Sequence, residues 1–497
     1  MDKILDESAA LDHVLLTQDP EQYDKLAAAL SSKLRKIPLE DLAATQDILT
    51  AISPASHTIL YLYALLATIE ASSANGRGVP RQLPPTVLPE APLWPHIVQT
   101  LLDFDPIQVR YCGPQLTRLV DYVAWGAEQT SNYIPAIQLL HHVILRLDST
   151  ASTLTSTHRS FIRLCLLSQA YSEAIDILDR PIYHIPTTQV DPRTYKYLCS
   201  SSDPTWTYLT SATGLTHPVS SRTYLEYYLL GGMCYLAMRR YKDALFFLEV
   251  VITAPVLQNV ASSIMVEAYK KWLLVGLLLR GAAPSIPKSA SQSAMKHIRA
   301  AAKPYECVAD AFKVGNAQKL RAEIEAGGNI WQEEGNYGLM VEVFEAFRKF
   351  SVLRLGRTYD ALPISEVARR TSPDASNVDE TRVYLETLIA GGDVKAAISD
   401  ADGTKDQILR FQPAATTFKP ETEYERHLAV QTRELKSLLG HIQDTEHRME
   451  VSKEYIDYLK KLKKAKDEEK KNPVLGASTA RTATAADDVD EDMMEEY

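Results

Sequence analysis

Tyr241-Lys242-Asp243-Ala244-Leu245-Phe246-Phe247-Leu248 carries the pattern on which the fold turns. Tyrosine, alanine, an aliphatic residue and leucine stand at i, i+3, i+4 and i+7, which places all four on one face of an α-helix. The small alanine lets a second helix approach, while tyrosine and leucine fill the flanking space. The same spacing recurs at Tyr133/Ala136/Ile137/Leu140 and at Tyr171/Ala174/Ile175/Leu178. One copy would arise by chance in any helix rich in Ala and Leu. Three copies, two of them directly after another helical stretch, predict helix pairs stacked in series.

Outward from these copies, aliphatic residues keep helical spacing at 56–70, 115–125, 134–147 and 157–170, and strand-like alternation is nearly absent before residue 390. Pro80, Pro84, Pro85, Pro89, Pro92 and Pro95 interrupt the pattern. Proline lacks the amide donor and fixes φ, so an extended surface connection is expected at 79–95. A second irregular stretch, rich in Ser, Thr and Pro, covers 200–221. The repeats end near Ala326-Gly327-Gly328. The expected fold is mainly α, a right-handed tetratricopeptide-like helical-repeat solenoid with N-terminal repeats at 1–155 and further repeats at 156–330.

A different module is expected at 331–413. It reads as a long amphipathic helix at 338–355, a short helix at 362–370, a break at Ser372-Pro373-Asp374 and a second helix from Val378 to Ala390 stopped by Gly391-Gly392. Strand candidates at 394–400 and 407–411 flank Asp402-Gly403, a strong hairpin signal. Helix, helix–turn–helix and a two-stranded wing make a winged helix. The wing's outer strand would carry unpaired backbone groups, so Val394, Ala396, Ile398, Ile408 and Phe411 are candidate partner-docking residues. A long helix at 421–466 follows, with Leu428, Leu435, Ile442, Met449 and Ile456 at strict seven-residue spacing. Gln431, Thr445 and Ser452 interrupt the neighbouring row, leaving one apolar seam, a second candidate docking surface. Residues 472–497 collapse to Ala, Thr, Asp and Glu and read as a disordered acidic tail.

The net charge of −10 over 497 residues argues against nucleic acid and against a basic membrane-binding surface. The longest apolar run, Trp272 to Leu279, is far shorter than the ~20 residues of a membrane span. Met1-Asp2-Lys3-Ile4-Leu5-Asp6-Glu7 is acidic, without the apolar stretch of a signal peptide. Cys112, Cys165, Cys199, Cys234 and Cys307 are widely spaced and read as reduced thiols, so the nucleus and cytoplasm are the expected location. Nucleotide-binding, nucleophile-elbow and HExxH motifs are absent. No HxH pair is present, and the adjacent His141 and His142 would diverge by about 100° on a helix. No catalytic residue, cofactor or metal is therefore expected. Met233-Cys234-Tyr235 reads as a helix–helix contact. Glu267-Ala268-Tyr269-Lys270-Lys271 reads either as a partner-facing charged patch or as a solvated helix face.

A repeat arm, an acidic-faced winged helix and a C-terminal helix together resemble the PCI family of scaffold subunits found in the proteasome lid, the COP9 signalosome and translation initiation factor 3. The most specific stretch is Tyr227-Tyr228-Leu229-Leu230-Gly231-Gly232-Met233 through Tyr241-Lys242-Asp243-Ala244-Leu245. It continues in Glu249-Val250-Val251-Ile252-Thr253-Ala254-Pro255, then Ile264 to Trp272 and Leu277-Leu278-Leu279-Arg280-Gly281. This series is similar to the signalosome branch, whereas Leu362-Pro363-Ile364-Ser365-Glu366-Val367-Ala368 fits PCI winged helices generally. The resemblance implies winged helices aligned edge to edge and C-terminal helices gathered in a bundle. It implies a hetero-oligomer with other PCI and MPN-type subunits. Cullin-RING ligases would be engaged indirectly, the ubiquitin-like modifier Nedd8 being removed from cullins by a zinc isopeptidase on a separate subunit. A proteasome-lid or initiation-factor scaffold is the competing reading. A nucleic-acid-binding winged helix is a further one, disfavoured by Asp379, Glu380 and Glu386 against a single Arg382 on the second helix.

Overall fold

A computed structural model describes residues 2–17, 19–43, 46–73, 84–186, 197–200, 204–256, 261–371, 378–400, 407–411, 421–451 and 453–471. The chain divides into two compact units, 1–411 and 412–497. The three sequence copies head the helices Ile134–Leu147, Tyr171–Leu178 and Tyr241–Thr253. Ala136, Ala174 and Ala244 are buried, as are Leu140, Leu178 and Leu248. The helix Tyr241–Thr253 packs between Ser221–Ala237 and Ser263–Arg280. On Ser221–Ala237 the adjacent Gly231 and Gly232 face Phe247 and Leu248, and a Cβ on Gly231 would lie 2.8 Å from Leu178 and from Phe247. The glycine pair is thus the counterpart of the alanine: both strip side chain from a contact where helices meet. Cys234 and Tyr235 are buried on the same helix, consistent with a helix–helix contact.

The turns before the three copies repeat as well. Ser131, Gln169 and Arg239, each two residues ahead of the motif tyrosine, all adopt the left-handed conformation, with φ of 55°, 60° and 60°. At Gln169 and Arg239 the following amide returns to the preceding helix, Ala170 N to Cys165 O at 3.0 Å and Arg240 N to Tyr235 O at 2.9 Å. This closure satisfies late carbonyls while reversing the chain, and glycine is its least strained occupant. Gln169 is exposed. Gln169→Gly is expected to stabilise the protein by ~0.5–1 kcal/mol in denaturant titration.

The helix Ser156–Ser168 begins with a capping box in which His158 takes the place of the usual glutamate. Its Nδ1 accepts from the Thr155 amide at 3.2 Å and lies 2.8 Å from the Thr155 hydroxyl. The ring is buried, and burial lowers its pKa from 6.5 to about 4. Between these values the unfolded chain binds a proton that the folded chain refuses, so this group's contribution to stability falls as pH drops from 6.5 and levels out below 4. The loss is on the order of 3 kcal/mol. Unfolding titrations from pH 7 to 4 should show that slope in the wild type and a smaller one in His158→Gln.

The expectation of an extended surface connection at 79–95 is corrected over its described part. Residues 84–93 form turns around a 3-10 helix, Pro85–Val87, and Val87 is buried in the core. Pro95 lies inside the helix Trp94–Asp103, in its first turn, where no amide donor is missed.

Packing runs through residue 155 without a break, because the largest core extends from Leu11 to Ala302. A second core joins Leu273, Leu274 and Leu277 to Tyr305, Phe312, Leu320, Trp331, Met340, Val343 and Phe347. The second core spans the expected border near 330, because the helix Tyr337–Gly356, expected in the winged module, packs into it. The first half of this helix closes the second core, and Val352 in its second half opens a third.

That third core belongs to the winged module. Three antiparallel strands, β1 (Ala361–Pro363), β2 (Ala396–Asp400) and β3 (Gln407–Phe411), lie in the order β1-β3-β2. Between β1 and β2 come the helices Ile364–Thr371 and Val378–Ala390. The second ends at Gly392, with φ of 72°. There Asp393 N bonds Leu388 O and Gly392 N bonds Ile389 O, each at 3.0 Å, a glycine-dependent helix stop. The two strands expected for the wing pair with each other as β2 and β3, and among the described residues β1 joins β3 as a third strand. Leu362-Pro363 is strand rather than helix start, with Leu362 inward and Pro363 on an edge strand, where proline is tolerated. The Asp402-Gly403 hairpin, the break at 372–374 and the acidic tail lie outside the described residues.

Candidate docking surfaces

The two candidate surfaces fare differently. At the wing, β3 is the central strand, paired on both sides, so Ile408 and Phe411 do not lie on an open edge as expected. Phe411 packs on Gly356. The sheet's edges among the described residues are β1 and β2; on β2, the wing's outer strand, Val394 and Ala396 point into the module's own core, and Ile398 is half-buried against it. Val394 and Ala396 close the winged helix and are unavailable to a partner. What β2 presents outward is its backbone, together with the exposed side chains of Lys395 and Ala397.

The C-terminal seam is open. Helices Glu421–Val451 and Lys453–Lys471 lie on either side of residue 452, so helix continues past the expected end at 466. Leu428, Leu435, Ile442, Met449 and Ile456 are 61%, 59%, 43%, 52% and 37% exposed. Leu438 and Leu459 beside them are exposed too. A single helix of this kind is marginal in water. Burial against another surface would contribute about 1.5–3 kcal/mol per seam residue as an upper bound.

The Lys270-Lys271 reading is corrected. Both lysines are buried, neither a solvated face nor a partner-facing patch. Lys270 Nζ bonds Glu334 Oε1 at 2.5 Å, and Lys271 bonds Glu267 and, at 3.0 Å, Asn336 Oδ1. The Tyr305 hydroxyl donates to Glu334 at 2.6 Å and accepts from Asn336 Nδ2 at 2.7 Å. Burial alone would raise the Glu334 carboxyl, but hydrogen bonds from Lys270 and Tyr305 hold it below the usual range. This closed polar network ties Ser263–Arg280 to the second core. Glu267 one turn before Lys271 was the only sequence signal of it, and an i,i+4 pair is as common on a wet face.

His141 pairs with Asp176 at 2.8 Å, whereas His142 bonds Leu102 O at 3.0 Å, so the two rings diverge. Among the described residues no group of His, Cys, Asp and Glu is placed to hold a metal ion, and no helix is long and apolar enough to cross a membrane. On Val378–Ala390, Arg382 pairs with Glu386 at 3.3 Å and Glu380 with Arg348 at 3.6 Å.

Stacked helix pairs, a three-stranded winged helix and an uncovered apolar helix define a helical-repeat protein with a PCI-like module. A family model described as COP9 signalosome complex subunit 3, N-terminal helical repeats, matches residues 20–294. COP9 signalosome complex subunit 3 of Emericella nidulans is 33% identical over 456 residues, covering 90% of each chain. The subunit 3 of Neurospora crassa is 25% identical over 88% of each chain, and that of Drosophila melanogaster 26% identical over 77% of this chain and 79% of its own. The chain belongs to the COP9 signalosome subunit 3 family.

Proposed function

We propose that the chain is a non-catalytic scaffold subunit of the COP9 signalosome, acting in nucleus and cytoplasm. It supports assembly of the complex that removes Nedd8 from the cullins of cullin-RING ligases. Family membership supports the complex. The observation that carries the scaffold role is the seam from Leu428 to Ile456, a seven-residue-spaced apolar row that is exposed along its helices. A helix of this composition gains order by lying against others. PCI and MPN-type subunits are the proposed partners, with the zinc isopeptidase on one of the latter. The wing contributes through the β2 backbone, which suits strand addition.

The test is purification of the tagged full chain from its own cells, with identification of the co-eluting proteins and a deneddylation assay of the eluate. Deneddylase subunits and activity should come with the chain, and removal of zinc should abolish the activity while leaving the chain's associations in place. A chain that elutes alone, or with proteasome-lid or initiation-factor subunits, contradicts the reading.

A further inference from the structure

A cleft of about 270 Å³ opens among the N-terminal helices, between Pro20–Lys36, Leu39–Ala43, Thr58–Ser73 and Gly113–Thr130. Leu42, Tyr63, Leu66 and Pro114 form part of its apolar lining. Its polar lining is Arg35, Glu70, Gln115 and Arg118. None of these residues takes part in the wing or the seam. The Arg118 guanidinium binds Glu70 at 2.7 Å, and the Glu70 side chain is only 16% exposed. Burial nonetheless raises the Glu70 carboxyl, with Arg118 opposing the rise. Gln115 Oε1 is shut off from water and has no hydrogen-bond partner, which is costly for an amide oxygen.

We infer that this cleft binds an extended segment of a partner protein that carries one bulky apolar side chain next to an aspartate or glutamate. The volume suits one large side chain with its peptide group and is too small for a helix. The sign of the charge follows from the lining. Glu70 is already engaged, and a guanidinium has five N–H donors, so Arg118 retains donors for a second carboxylate. Arg35, exposed on the same cleft, adds a second positive charge. The two requirements, an apolar anchor and an adjacent carboxylate, describe a short acidic–apolar motif. The inference is independent of the assembly proposed above.

The experiment pans a phage-displayed library of random heptapeptides on the full chain and measures the enriched sequence by fluorescence polarisation. The expected consensus is an aliphatic or aromatic residue beside Asp or Glu. Binding should weaken by about tenfold or more in Arg35→Glu and in Arg118→Ala, each first shown to melt with the wild type. Arg35 lies exposed, so its variant keeps the test valid if Arg118→Ala unfolds the cleft. No enrichment, a basic consensus, or binding indifferent to both substitutions would overturn the inference.

Discussion

Gly113→Ala should unfold much of the N-terminal half of the repeats. A Cβ at Gly113 would stand 2.3 Å from Thr213 O and 2.8 Å from both Gly214 C and Leu215 N. All three are backbone atoms, which cannot rotate aside as a side chain would. The contact is reciprocal. Gly214 has φ of 77°, and a Cβ there would meet the Pro114 ring at 2.4 Å, while Thr117 Oγ1 donates to Gly214 O at 2.7 Å. The start of Gly113–Thr130 and the 213–215 turn are therefore fitted together at van der Waals distance. Separating them would disturb a core that contains Leu116, Leu119 and Leu215. A cost of ~3 kcal/mol or more is expected. Gly328→Ala is the control, because nothing lies within 4 Å of its Cβ position. It opens the helix Gly328–Glu333, and alanine there should be neutral or mildly stabilising. Denaturant midpoints of the two variants should diverge. A Gly113→Ala protein as stable as the wild type would show that the two backbone segments do not meet.

The second large effect is expected at Lys270. Replacing it with methionine leaves Glu334 and the Tyr305 hydroxyl in a site with restricted access to water. Removing one member of a buried ion pair commonly costs 3–5 kcal/mol; about 3 kcal/mol is expected here, since Glu334 keeps some exposure. Replacing both partners with apolar residues, Lys270→Met with Glu334→Leu, should recover much of the loss, because the larger penalty is the stranded charge. A double-mutant cycle in urea measures the coupling. A single variant costing under ~1 kcal/mol would show the pair to be solvated, with the small value typical of surface ion pairs.

Both effects show where sequence is a good guide and where it is not. The Tyr-x-x-Ala copies exposed the stacking because helical period and a small residue at a contact are local properties of the chain. Val378–Ala390 and Gln407–Phe411 were legible for the same reason: Gly391-Gly392 stops one, and the Asp402-Gly403 hairpin signal precedes the other. β1 was not legible. Three residues ending in proline carry no period, and they become strand only because β3 lies alongside. That pairing moves β3 to the centre of the sheet, which the order of the chain does not disclose. The Lys270–Glu334 pair spans 64 residues, and the cleft draws on four helices, so neither has a local signature. The seam is the opposite case. Its seven-residue repeat is plain in the sequence, and its exposure follows because no second apolar row accompanies it.

The central claim is that this seam is a docking surface rather than part of the chain's own core. The direct measurement is co-sedimentation of the full chain with the remaining subunits of the complex, comparing wild type with a Leu435→Glu, Ile442→Glu, Met449→Glu variant. The variant should sediment apart from the complex, while the melting temperature of the isolated chain stays within about 2 °C of the wild type, as for exposed substitutions. Undiminished assembly of the variant would contradict the claim. So would a variant that melts far below the wild type, since the seam would then be holding the chain itself together.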